Sequence, residues 1–159
     1  MKRLFLLILP LLAITFNSCS KDDGGDDLVD NKFTISGKTY EVTKAYYDYY
    51  SHEEISDNML LAISLETKEG VYIDIDDIFV PNSNTKLVAG TYTHNKSKAD
   101  FTFWHGEIYD DSIDYEEIVK GGTVKVAIAD NTYTITINCT LESGGTIKGT
   151  YKGTLPARN

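Results

Sequence analysis

From Phe33 onward, apolar and polar residues alternate with a period of two along most of the chain. That is the spacing of strands that bury one face and wet the other. Phe33-Thr-Ile35, a turn at Gly37-Lys38 and Tyr40-Glu-Val42 predict a hairpin. Leu61-Ala-Ile63-Ser-Leu65, a turn from Thr67 to Gly70 and Val71-Tyr-Ile73-Asp-Ile75 predict a second. Pro81-Asn-Ser-Asn marks a turn, and Leu87 to Thr93 and Ala99 to Ile108 predict further strands. Val124 to Ile128, Tyr133 to Leu141 and Ile147 to Leu155 predict a closing meander, turning at Asp130-Asn131 and Ser143-Gly144-Gly145. Two segments break the alternation. Ser51 to Asn58 predicts a polar loop, and Tyr109 to Glu117 an acidic loop followed by a helical turn ending at Ile118 and capped by Gly121. Glu53 to Leu65 also carries a helical period through Ile55, Met59, Ala62 and Ile63, but β-branched and aromatic content favours strands. The expected fold is all-β and antiparallel: a sandwich or partly open barrel of about eight strands.

The first residues follow another rule. Met1-Lys2-Arg3 precedes an apolar run from Leu4 to Ile14 that Pro10 interrupts. A charged start and a run shorter than the about 20 residues of a membrane span predict an export signal. Then comes Phe16-Asn17-Ser18-Cys19, followed by Ser20-Lys21-Asp22-Asp23. A small residue before a cysteine at this place resembles the lipobox of bacterial lipoproteins, and the acidic flank resembles the export tag of the surface-exposed ones. Phe16 and Asn17 depart from the usual lipobox residues. The resemblance implies cleavage after Ser18, palmitate-type acyl chains on Cys19 and an outer-membrane anchor facing the cell surface. Residues 1–18 are then the signal peptide, 19–30 a lipidated acidic tether, and 31–159 one domain. Several acyl chains anchor stably, because each buried CH₂ contributes about 0.8 kcal/mol. The ending Gly149 to Leu155 resembles the closing strand of small all-β lipoprotein domains.

Composition narrows the partners. The formal charge is −9, and cleavage removes two cations and no acid, giving −11. The domain of about 130 residues has room for one core. Without a Lys/Arg stripe it has no footprint for nucleic acid, and its charge favours a cation over an acidic partner. Two cysteines, one of them the lipid attachment point, leave Cys139 single and exclude a disulfide framework. Its place in Tyr133, Ile135, Ile137, Cys139, Leu141 predicts a small buried apolar residue.

Recognised chemical motifs fail one by one. Gly37-Lys38-Thr39 lacks the first glycine of a phosphate loop, since Lys32 stands there. His52, His94 and His105 show no i, i+4 pair, and no Gly-x-Ser-x-Gly occurs. Asp74-Ile-Asp76-Asp77 is the strongest carboxylate candidate. Asp74 and Asp76 share one strand face about 7 Å apart, suited to a calcium ion or an acid/base pair, although the solvated face of a half-buried strand looks the same. Tyr46, Tyr47, Tyr49 and Tyr50 flank Asp48 and make both faces of that strand aromatic, while Trp104 lies opposite Phe101 and Phe103 by parity. Exposed rings beside carboxylates suit sugars, stacking on their apolar faces and accepting from their hydroxyls. Tyrosines are also ordinary strand formers. Asp111-Ser112-Ile113 resembles an O-glycosylation acceptor of exported bacterial proteins.

These observations lead to an expectation of a non-enzymatic, lipid-anchored surface protein that binds an extracellular glycan through Tyr46 to Tyr50 and Trp104, with calcium as the one candidate cofactor. An accessory subunit of an outer-membrane protein complex is the alternative. A hydrolase using Asp74 and Asp76 is the third reading.

Overall fold

A computed structural model of the chain describes residues 30–52, 56–81, 86–111 and 113–158. Residues 1–29, which include Cys19 and most of the expected tether, lie outside the described residues, as do 53–55, 82–85, Ser112 and Asn159. Among the described residues there are nine strands: β1 (Lys32–Ile35), β2 (Lys38–His52), β3 (Ser56–Thr67), β4 (Tyr72–Phe79), β5 (Gly90–His94), β6 (Thr102–Asp110), β7 (Tyr115–Ala129), β8 (Thr132–Leu141) and β9 (Thr146–Gly153). They close into a barrel in the order β1-β2-β3-β4-β6-β5-β7-β8-β9, with β1 paired to both β2 and β9. The expected all-β class and both hairpins are present, as is the closing meander. Among the pairings of these nine strands one is not antiparallel: β5 runs parallel to β6 at Thr93↔Thr102 and His94↔Phe103.

Closure depends on the two longest strands. β7 pairs first with β6, from Glu107↔Ile118 to Asp110↔Tyr115, and then with β5, from Gly90↔Val126 to Thr93↔Thr123. Between these partners its pairing to β8 shifts register at Val119/Gly121, and Gly122 takes φ 117°. A Cβ at Gly122 would collide with the Asn138 carbonyl and the Cys139 backbone, so only glycine fits this step. β2 outruns β1, which covers it only from Lys38 to Glu41. The chain end covers more of that edge: the Tyr47 amide donates to the Pro156 carbonyl at 3.0 Å, and the Arg158 amide to the Tyr47 carbonyl at 2.8 Å. An open strand edge is thereby paired rather than left as a template for aggregation.

Inward residues fill the barrel. Phe33, Leu61, Ile63, Ile73, Ile75, Tyr92, Phe103, Ile108, Val124, Ile135, Ile137 and Ile147 belong to one buried cluster. The Tyr92 hydroxyl donates to the Val88 carbonyl at 2.8 Å, which satisfies a phenol whose burial pushes its pKa up to about 12. Cys139 belongs to the same cluster at 1% exposure.

Three local expectations are corrected. The segment from Tyr109 to Glu117 is a hairpin, not an acidic loop: β6 runs to Asp110 and β7 starts at Tyr115. Ile118 ends no helical turn and Gly121 caps none, because both lie in β7, paired to Glu107 and Thr140. Here both strand faces are polar, so the alternation vanished while backbone pairing held the strands. The expected polar loop at Ser51 to Asn58 shrinks likewise, since β2 reaches His52 and β3 starts at Ser56. From Ser56 to Leu65 the strand reading favoured over the helical period holds, with β3 paired on both sides.

Candidate functional site

The outer face of β2, β3, β4 and β6 carries the polar residues of interest. The register places them in rows across the strands. One row is Lys44, Glu66, Tyr72, Tyr109 and Glu116; the next is Tyr46, Ser64, Asp74, Glu107 and Ile118. A third brings Asp48 opposite Ala62 on β3 and Asp76 opposite His105 on β6. On β3 the outward residues Ala62 and Ser64 are small and buried, at 6% and 5% exposure. They form a low floor between the larger side chains of β2 and β4.

Asp74 and Asp76 face out because Ile73 and Ile75 face in, each 1% exposed. Both carboxylates are half-buried. Asp74 accepts from the Tyr109 hydroxyl through Oδ2 at 3.3 Å, while its Oδ1 is buried without a partner. Burial pushes the Asp74 pKa up against the opposing hydroxyls of Ser64 and Tyr109. Asp76 is pushed up to about 7, first by burial and then by the neighbouring Asp74 charge, with His105 working the other way. One oxygen of Asp76, one nitrogen of His105 and one oxygen of Glu107 lie within 4.8 Å of one another. The His105 Nε2 to Glu107 Oε2 distance is 3.2 Å.

Asp77 stands apart. It takes φ 52° at a register step between β3 and β4. Its Oδ1 accepts from the Tyr50 hydroxyl at 2.7 Å, and that hydroxyl accepts from the Asp77 amide at 3.1 Å. The sequence trio Asp74, Asp76, Asp77 is therefore split: Asp76 joins His105 and Glu107, Asp74 joins Tyr109, and Asp77 joins Tyr50.

The aromatic candidates are likewise distributed. The Arg158 guanidinium lies 3.6 Å from the Tyr46 ring centroid and 3.8 Å from Asp48 Oδ2. Tyr47 packs against the core, Tyr50 is tied to Asp77, and Tyr49 is 53% exposed. Trp104 meets Phe79 edge-on at 6.2 Å and has Lys98 at 5.9 Å from its ring; its indole nitrogen is buried without a partner. Tyr72 and Tyr109 stack at 4.9 Å and 11°. No family model, curated protein or solved structure matches the chain.

Sequence spacing alone does not single out His105 and Glu107 as site residues. A search for helical i, i+4 spacing overlooks them, yet His105-Gly-Glu107 is i, i+2 on a strand and so shares one face. Beside Glu107, a hollow of about 260 Å³ is lined by Tyr109, Tyr115 and four further acids of the β6–β7 hairpin. His94 belongs elsewhere, its ring edge-on to Phe103 at 5.3 Å.

Proposed function

We propose that the protein is a non-enzymatic, lipid-anchored protein of the outer-membrane surface that binds an extracellular glycan on the outer face of β2, β3, β4 and β6. The anchor rests on the lipobox-like run ending at Cys19 and on its acidic flank. The observation that carries the binding reading is the make-up of that face. Carboxylates (Asp48, Asp74, Asp76 and Glu107) are interleaved with phenols (Tyr46, Tyr72 and Tyr109) over the small floor of Ala62 and Ser64. Ionised carboxylates accept hydrogen bonds from sugar hydroxyls, and phenol rings take the apolar sugar face. The barrel interior is filled by the core cluster, which favours an outer site.

Two other readings weigh less. A hydrolase would draw on the raised Asp76 carboxyl, but this carboxylate lies on a sheet face rather than in a deep water-excluding cleft. An accessory subunit would present a contiguous apolar patch. The exposed large hydrophobics among the described residues are scattered, with Ile113 and Tyr115 near one end of β7 and Ile128 near the other.

Two experiments test the proposal. Acyl-chain labelling of the protein in cells is expected to disappear in Cys19→Ala. A glycan array probed with the detergent-solubilised full chain, with and without calcium, is expected to light one glycan class. Persistent labelling in the variant contradicts the anchor, and a blank array contradicts the ligand.

A further inference from the structure

We propose that Asp76, His105 and Glu107 form a binding site for a divalent first-row transition ion of the zinc type. This inference does not rest on the glycan reading.

The backbone preorganises the site. Asp76 lies directly across from His105 in the β4–β6 ladder, and Glu107 follows two residues later on the same face. All three stand on paired strands rather than on a loop, so their Cα positions are fixed by the sheet. Gly106 between the two β6 ligands points inward, where a Cβ would lie 3.1 Å from Val119 and 3.2 Å from Ile75. The core therefore grips the backbone between the ligands. One donor atom from each side chain already falls within 4.8 Å of the other two, and His105 Nε2 and Glu107 Oε2 are 3.2 Å apart. Tetrahedral ligands at about 2.0–2.1 Å from zinc are about 3.3 Å from each other. One edge of such a site is thus in place, and small side-chain rotations bring Asp76 to the same distance.

Charge and donor type select the ion. The half-buried Asp76 carboxylate shares a strand face with Asp74 two residues away and has an oxygen within 4.8 Å of a Glu107 oxygen, so like charges crowd here. A dication between Asp76 and Glu107 relieves that repulsion. The imidazole separates this set from an acidic patch, because calcium and magnesium take all-oxygen shells while imidazole suits zinc and its neighbours. The calcium alternative, Asp74 with Asp76 and Asp77, is disfavoured by the hydrogen bonds that hold Asp74 to Tyr109 and Asp77 to Tyr50. His105 is 41% exposed, so the face leaves a position open for water or an outside ligand.

The test is calorimetric titration of Zn²⁺ into the chelator-stripped, detergent-solubilised full chain, with Ca²⁺ titrated in parallel. One site is expected, with zinc bound more tightly than calcium. His105→Gln, Asp76→Asn and Glu107→Gln are each expected to weaken zinc by at least about tenfold, with His94→Gln unchanged. Co²⁺ in place of zinc is expected to give visible bands without thiolate charge transfer, which separates this site from the cysteines. His105→Gln sits on the sheet surface and keeps the fold, so it decides the matter should a carboxylate variant misfold. Absence of zinc binding, undiminished binding in His105→Gln, or calcium bound as tightly as zinc overturns the proposal.

Discussion

The Tyr50 hydroxyl and Asp77 hold each other twice across β3, once through the carboxylate at 2.7 Å and once through the backbone amide at 3.1 Å. This pair fixes the left-handed residue at which β4 steps out of register with β3. The step returns Ile78 to the core after two consecutive polar residues. A tyrosine that the sequence offers as a sugar contact thus has a structural role.

Tyr50→Phe removes both bonds and leaves Asp77 without them. It is expected to lower stability by about 1–3 kcal/mol. Tyr49→Phe, at an exposed position, is expected to stay within about 0.5 kcal/mol of wild type. Urea unfolding midpoints of the two variants compare them directly.

The step in β7 gives a sharper contrast. Gly122→Ala combines a positive φ with a collision against the Asn138 carbonyl, and is expected to cost about 2–4 kcal/mol. Gly144→Ala also has a positive φ, at 88°, but meets no atom within 4 Å. Its expected cost is about 1 kcal/mol. Equal losses in thermal melts would contradict the packing argument at Gly122.

Cys139 is buried and its thiol donates to the Thr123 carbonyl at 3.7 Å. Burial pushes its pKa up from 9.0 to about 11. The raised value means that the fold favours the neutral thiol. The corresponding stability is complete below pH 9 and is lost as pH rises through about 11. Iodoacetamide at pH 8 is expected to modify this thiol slowly in the native protein and rapidly in urea. Rapid native labelling at Cys139 would contradict its burial.

Crowded carboxylates at a binding face oppose stability when the face is empty. In chelator, Asp76→Asn is expected to raise the melting temperature by about 2–6 °C. With zinc present the order is expected to reverse, because only the wild type gains stability from the ion. Differential scanning calorimetry in the two buffers measures the reversal.

Most of the barrel wall was legible in the sequence because its strands bury one face. Val71-Tyr-Ile73-Asp-Ile75 announces both strand and orientation, and Tyr133 to Leu141 does the same. Closure was not legible, since it depends on Lys32 pairing with both Glu41 and Thr150, far apart along the chain. The β6–β7 hairpin was hidden because Tyr115-Glu116-Glu117 offers no apolar alternation. The site divides in the same way. Asp74 and Asp76 stood out by their own spacing, while His105 and Glu107 became candidates only when β6, rather than β5, proved to be the neighbour of β4. The tyrosine run was visible, but its engagement was not: Arg158 covers Tyr46 from the far end of the chain.

The most direct test of the account is the affinity of wild type and Asp74→Asn for the glycan class that the array identifies. Asp74 lies on the binding face without belonging to the metal trio, so it reports on the glycan alone. The account predicts saturable binding by the wild type and at least about a tenfold loss in the variant. Full affinity in Asp74→Asn with its fold intact, or no glycan bound by the wild type, would contradict it.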